Sequence, residues 1–235
     1  LAGISQVVTT QVLSRAVTFL VNVFIARLAG PEGYGIGYVS LQLLSNLSLF
    51  ASKEGFRKVA LRTPEQPAEV SLQEAEAAQS RSALNLGVAG FAAAVVSSIL
   101  LSIYWIARPP QAAAGTFPLA VLLTAASSIV EAAAEPQVIA TFLALDFRSR
   151  ALGEGAAMLT RTMSMVVLCM IMTDVPVAFA MAQLLFAITW TSWFALLRGA
   201  SFHRPVRLED SSWILPHHST LLREFGGIVG LKVLL

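Results

Sequence analysis

Charge is what this sequence lacks. Of its 235 residues only 13% are Asp, Glu, Lys or Arg while 56% are hydrophobic, against about 25% charged and roughly 45–50% apolar in a soluble domain. Mean hydropathy is +0.70. The 16 Lys+Arg and 14 Asp+Glu cannot cover a water-facing surface of normal size, which excludes a soluble globular domain and makes lipid the main solvent. A net charge of +2, with the basic residues dispersed, excludes a nucleic-acid surface. The single Cys169 lies in an apolar run. It excludes an intramolecular disulfide framework or a cysteine-based metal site, and reads as a packing residue. No Walker-type glycine loop is present, so ATP hydrolysis is not expected. His203, His217 and His218 share one polar stretch with no Cys or carboxylate at ligand spacing and read as solvated. No catalytic constellation emerges, so neither an enzyme nor a cofactor or metal is expected.

What is there is a series of long apolar runs. A helix needs about 20 such residues to cross a bilayer, and six runs qualify: Ile4 to Leu28, about Gly35 to Ala51, Ser82 to Ala107, Thr116 to Leu145, Gly155 to Thr173 and Val175 to Leu197. The second continues as a basic helical end through Lys53, Arg57 and Arg62. The third stops at Arg108-Pro109-Pro110, and Pro136 predicts a kink in the fourth. A seventh run begins near Leu221. None has the ten-residue alternation of barrel strands, and backbone in hydrocarbon must be satisfied internally, so the expected fold is all-α, a polytopic helical membrane protein. The expected organisation is a six-helix bundle over 1–199, a cytosolic linker over 200–220 and the start of a seventh helix over 221–235. The Pro- and Glu-bearing stretch Thr63 to Gln79 reads as a solvated cytosolic loop with a short surface helix from Ser71.

Orientation follows from the basic residues. The loops after spans two, four and six hold eleven of them, and the opposite loops only Arg27 and Arg108. By the positive-inside rule the N-terminus and the even loops are cytosolic.

Charges inside spans cost about 2.5–3.5 kcal/mol each at a helix centre, even on the lenient insertion scale, and need a reason. Gln11, Arg15, Thr18 and Asn22 follow at +4, +3 and +4, one helical face that must look into the bundle or a wet cavity. Arg15 suits a phosphate oxygen or a neighbouring glutamate equally. Arg27, near the opposite membrane end, is either a snorkelling anchor or a functional cation. Glu131 and Glu135 form an i, i+4 pair whose ionised carboxylates repel. Proton coupling is one reading; pairing with Arg15, Lys53, Arg57 or Arg161 is the other and is favoured. Glu154 and Arg161 are two turns apart, too far to pair, and face different partners across one groove. The cluster Lys53, Glu54, Arg57 and Lys58 reads either as an orientation signal contacting anionic lipid or as a pyrophosphate-binding rim.

Several strings together resemble a family. Ala26-Arg27-Leu28-Ala29-Gly30-Pro31-Glu32-Gly33-Tyr34-Gly35 is similar to the turn shared across the multidrug, oligosaccharidyl-lipid and polysaccharide exporter superfamily. Lys53-Glu54-Gly55-Phe56-Arg57-Lys58-Val59-Ala60 resembles the Rft-type oligosaccharide translocation family of the endoplasmic reticulum, where the first position is usually Arg. Glu131-Ala132-Ala133-Ala134-Glu135-Pro136, then Glu154 and Ala182-Gln183-Leu184, are similar to it in order and spacing. The resemblance implies a protein of about twice this length with roughly fourteen helices in two bundles, of which this chain, starting at Leu1 and stopping inside a new apolar run, is the N-terminal part. It implies a dolichol-pyrophosphate-linked oligomannose substrate, moved from the cytosolic to the lumenal leaflet of the endoplasmic reticulum during N-glycosylation. It also implies that Arg15, Arg27, Lys53, Arg57, Glu131, Glu135 and Glu154 bind substrate. A cation-coupled small-molecule exporter using Glu131 and Glu135, and a non-transporting scaffold of glycosylation, are the alternatives.

Overall fold

The computed structural model describes residue 19 and residues 21–60, 72–110, 115–144 and 146–198. Most of the expected first span, the expected loop as far as residue 71, the expected linker and the expected start of a seventh helix lie outside them. Among the described residues every regular element is helical and there is no strand. Four helices are long and apolar enough to cross a membrane: Asn85–Ile106, Phe117–Leu143, Ser149–Ile171 and Val175–Leu196.

Helix α1 covers residues 21–34. Inside it Gly30 takes φ +69°, a left-handed conformation open to glycine at little cost and one that a right-handed helix cannot pass through without changing course. Pro31, whose fixed φ suits a first helical turn, restarts the chain. The expected turn between spans one and two is thus condensed to one glycine. A π-helical stretch, Gly35–Leu41, leads into α2 (Gln42–Phe50), and a second, Ala51–Phe56, leads into α3 (Arg57–Ala60).

Helix α4 runs from Leu72 to Ile106, 35 residues, or about 52 Å at 1.5 Å per residue. This corrects the expected loop: residues 72–79 are the first turns of α4 and not a separate surface helix. Leu72-Gln73-Glu74-Ala75-Glu76-Ala77-Ala78-Gln79 is made of strong helix formers, so the helix propagates outward from the apolar part.

The fourth span is two helices, α5 (Phe117–Ala132) and α6 (Glu135–Leu143), broken at Ala133-Ala134. Pro136 is the cause. It lacks an N–H, and its ring disfavours helical geometry just before it. The Ala134 N–H falls back on Glu131 O at 3.2 Å, and Thr191 donates its hydroxyl to Val130 O at 2.7 Å. Helix α7 (Phe147–Ile171) opens with Asp146 accepting from the Ser149 N–H at 3.2 Å, so Arg150 lies in its first turn and not in a loop. Residues 172–174 lead into α8 (Val175–Arg198), and so short a connection makes antiparallel neighbours.

Helix α8 is the centre of the packing, lying along both α5 and α7, while α4 packs on α5 and α6. Phe186, Trp190 and Phe194 follow one another along it, the first pair stacked with centroids 6.4 Å apart and the second edge-to-face at 4.7 Å. A second apolar core joins Leu44, Phe117, Val121, Met165 and Phe179, with Cys169 packed against it half-buried.

Candidate functional site

The polar residues of this bundle gather on facing helices. Glu131, on the last turn of α5, and Glu135, on the first turn of α6, are both almost fully buried, at 3% and 1% exposure. Each is met by one cation from the second span. The Lys53 ammonium donates to Glu131 Oε1. The Arg57 guanidinium grips Glu135 with both arms, Nε to Oε2 at 3.0 Å and a terminal nitrogen to Oε1. Two carboxylates one turn apart repel when ionised; here the four groups sum to zero formal charge. Such a fork-to-carboxylate pair fixes direction as well as distance.

Local structure aims these side chains. Lys53 sits in the π-helical stretch and Arg57 opens α3, with Glu54 and Lys58 forming a separate, more exposed i, i+4 pair. The basic cluster is therefore divided: two members turn inward and one outward. Phe56 and Val59 pack with Leu86 and Ile139 beside the inward pairs. Gly87 of α4 lies where a Cβ would come within 2.9 Å of Pro136 Cα. Only a glycine lets α4 approach the kink that carries Glu135.

A ladder of small polar contacts continues from these pairs. Ser128 and Ser45 meet hydroxyl to hydroxyl at 3.3 Å, and Ser97 donates to Ser48 O at 2.7 Å. At its far end Arg161 of α7 donates to the amide oxygen of Gln42, whose nitrogen donates to Asn46 Oδ1 at 3.2 Å. A half-open cavity adjoins this contact, lined by Gly37, Leu41, Gln42, Ser45, Thr124, Arg161, Phe179 and Gln183.

The structure thus brings together four of the seven expected site residues. Arg27, on α1, and Glu154, on α7, are exposed and join neither cluster, and Arg15 lies outside the described residues. Gln42 and Gln183 were not singled out as site residues. The signal for the first was its place beside Ser45 and Asn46 in an otherwise apolar run, and Gln183 entered only as part of a family motif.

The model of the Rft protein family matches residues 1–213. The chain belongs to the Rft protein family. A curated relative in it, the Man(5)GlcNAc(2)-PP-dolichol translocation protein RFT1 of Dictyostelium discoideum, is 24% identical over 191 residues, 80% of this chain and 34% of its own length. This Rft chain therefore spans about a third of the relative it matches. No solved structure matches it. Membership of this family, with four helices able to cross a bilayer, identifies a multi-pass membrane protein.

Proposed function

We propose that this chain is the N-terminal part of a translocator that moves a dolichol-pyrophosphate-linked oligosaccharide from the cytosolic to the lumenal leaflet of the endoplasmic reticulum, with its N-terminus cytosolic. Family membership and the relative's printed function support the substrate class. The observation that carries the mechanism is the double ion pair of Lys53 with Glu131 and Arg57 with Glu135. It lies at the end of the second span that the basic-residue asymmetry places in the cytosol.

Both cations already hold anionic oxygens in fork or point-charge geometry, the geometry a pyrophosphate also offers. An arriving pyrophosphate exchanges with the carboxylates, and the released Glu131 and Glu135 loosen the second span from the kinked fourth. Departure of the anion lets the pairs re-form, so the exchange itself is reversible and consumes no nucleotide. Arg15 and Arg27 continue the cationic path across the membrane, Glu154 faces the wet groove beside the glycan, and the dolichol stays in lipid. The same pairing counts against the exporter alternative, because Glu131 and Glu135 are occupied by cations in this state.

The test is reconstitution of the full-length protein in vesicles containing the lipid-linked oligosaccharide. Acceleration of its transbilayer exchange, lost in Arg57→Gln with insertion intact, supports the proposal. Binding of the lipid with no acceleration would identify a scaffold instead.

A further inference from the structure

One face of α7 is covered near its far end and bare nearer its start. Met165 is 4% exposed and belongs to the apolar cluster that also holds Ile25 of α1. Met158 and Glu154, earlier on the helix, lie within about 20° of Met165 around its axis, yet both are exposed, as is Ala151. A Cβ added to Gly155 beside them would meet nothing within 4 Å. The cover ends where the described part of α1 ends. Lipid suits a bare Met158 but not a bare Glu154, which stands about 7.5 Å inside the apolar span Ser149–Ile171. A lone carboxylate within a span is costly. No ion pair among the described residues reaches it, and Arg150, one turn away, is turned over the Phe142 ring instead, 4.2 Å from its centroid.

The chain just before α1 carries the complement. Helices α1 and α7 run towards the same end, because Gly33 packs against Val175, the first residue of α8, and α7 ends at Ile171. Parallel helices keep their register. With Ile25 and Met165 taken as level, Arg15 lies ten residues back, about 15 Å, and Glu154 eleven, about 16.5 Å. Rotation agrees with rise. Ile25, Val21 and Ala29 pack inward, while Phe19, Val23 and Phe24 are exposed. Helical winding carried back from Ile25 puts Thr18, Gln11, Asn22 and Arg15 at about 20°, 40°, 60° and 80° from it, on the inward side. We propose that residues 4–20 extend α1 along the bare face of α7, and that the Arg15 guanidinium pairs there with Glu154. Ala151 and Gly155 leave space between the helices for the long arginine side chain. The pair then matches those of Lys53 with Glu131 and Arg57 with Glu135, each a cation from the first two spans meeting a carboxylate of the later ones. As an interface this rests on packing and charge alone; as a third pair open to exchange with pyrophosphate it rests on the translocation reading above.

The test is cross-linking of the full-length protein in membranes, in a cysteine-free background carrying Thr18→Cys with Met158→Cys. These positions share one level on facing sides, whereas Leu159 is turned about 100° further round and supplies the control pair, Thr18→Cys with Leu159→Cys. Oxidation with copper phenanthroline is followed by mass spectrometry of the linked peptides. Mixing isotopically light and heavy protein separates links within a chain from links between chains. The expected result is a link within the chain between positions 18 and 158, well above the control. Glu154→Arg and Arg15→Glu should each lower its yield about fivefold by setting like charges together, and the two combined should restore it. Glu154→Gln keeps an acceptor for the guanidinium and should change the yield less than about twofold. A link no stronger than the control overturns the docking, and one formed between chains overturns it in favour of a second copy on this face. A double reversal that yields no more than either single one overturns the ion pair. Added lipid-linked oligosaccharide should lower the yield; an unchanged yield in a protein that accelerates lipid exchange overturns the exchange at this pair. The expected link in a protein that accelerates no exchange upholds the interface and overturns only the translocation reading.

Discussion

Lys53 and Arg57 are each answered by a buried carboxylate, whereas Arg161, deeper in the bundle, is answered by the amide of Gln42. The first arrangement is closed. Its charges cancel, its carboxylates are shielded, and moving either helix separates opposite charges in a poorly solvating surrounding. The second is looser, because a neutral amide holds the guanidinium, the Glu131 charge acts on it only at longer range, and the Gln183 amide oxygen nearby has no hydrogen-bond partner. Both tie facing helices together, the first through opposite charges and the second through a charge and an amide dipole. The same contrast runs through the helices that carry them. The span Phe117–Leu143, bearing Glu131 and Glu135, has 56% of its apolar window buried, and the span Ser149–Ile171, bearing Arg161, only 11%.

The sharpest way to break this contrast is Arg57→Ala. It strands the Glu135 carboxylate and should destabilise the bundle by about 3–5 kcal/mol, as removal of one partner from a buried pair does. The measurement is thermal unfolding in detergent, and the added change Glu135→Leu should recover most of the loss. If Arg57→Ala melts like the wild type, the pair does not hold the helices. Lys53→Ala should cost less, since the Lys53 side chain is 35% exposed against 15% for Arg57 and water screens its pair more. Gly87→Ala places a Cβ against the Pro136 backbone and should cost about 1–3 kcal/mol through overpacking, read as weaker cross-linking between cysteines placed on α4 and α6. Ser128→Ala, which removes one rung of the ladder, should cost about 0.6 kcal/mol, the average for polar contacts between membrane helices. Glu154→Gln is expected to leave the melting midpoint within the roughly 0.5 kcal/mol band of exposed substitutions. A large loss there would place Glu154 in a cluster that the fold does not give it.

Much of this fold was legible because lipid makes a severe demand on sequence. Runs of about 20 apolar residues are hard to produce by accident, and the starts and stops at Pro109-Pro110 and Val175 follow from them directly. Pro136 predicted its own kink because a missing N–H acts locally. The expected loop ending at Gln79 failed for the opposite reason. A Glu-rich segment looks solvated whether or not it is helical, and only continuity with α4 decides. At the site, the i, i+4 spacing of Glu131 and Glu135 favoured pairing with cations over proton coupling but offered four candidates for two places. The choice of Lys53 and Arg57 depends on how the second span docks beside α4 and the kinked fourth, and the glycines of α4 that allow the close approaches, Gly87 to Pro136 and Gly90 to Ser52 and Phe56, carry no charge to draw attention. Arg161 was conspicuous as a cost, yet its partner Gln42 was not, since an amide carries no formal charge to balance.

The π-helical stretch Ala51–Phe56 has one more consequence. There the Arg57 N–H reaches back to Ser52 O, five residues away, where an ordinary helix would reach four. A stretch of this kind behaves like a single inserted residue held within the helix. Deleting one residue from it would restore ordinary winding and turn everything on its far side by about 100° relative to the near side. Lys53 or Arg57 would then keep its place in composition while losing its glutamate. Within this segment the length of the chain, counted residue by residue, is as much a part of the site as the side chains that form it.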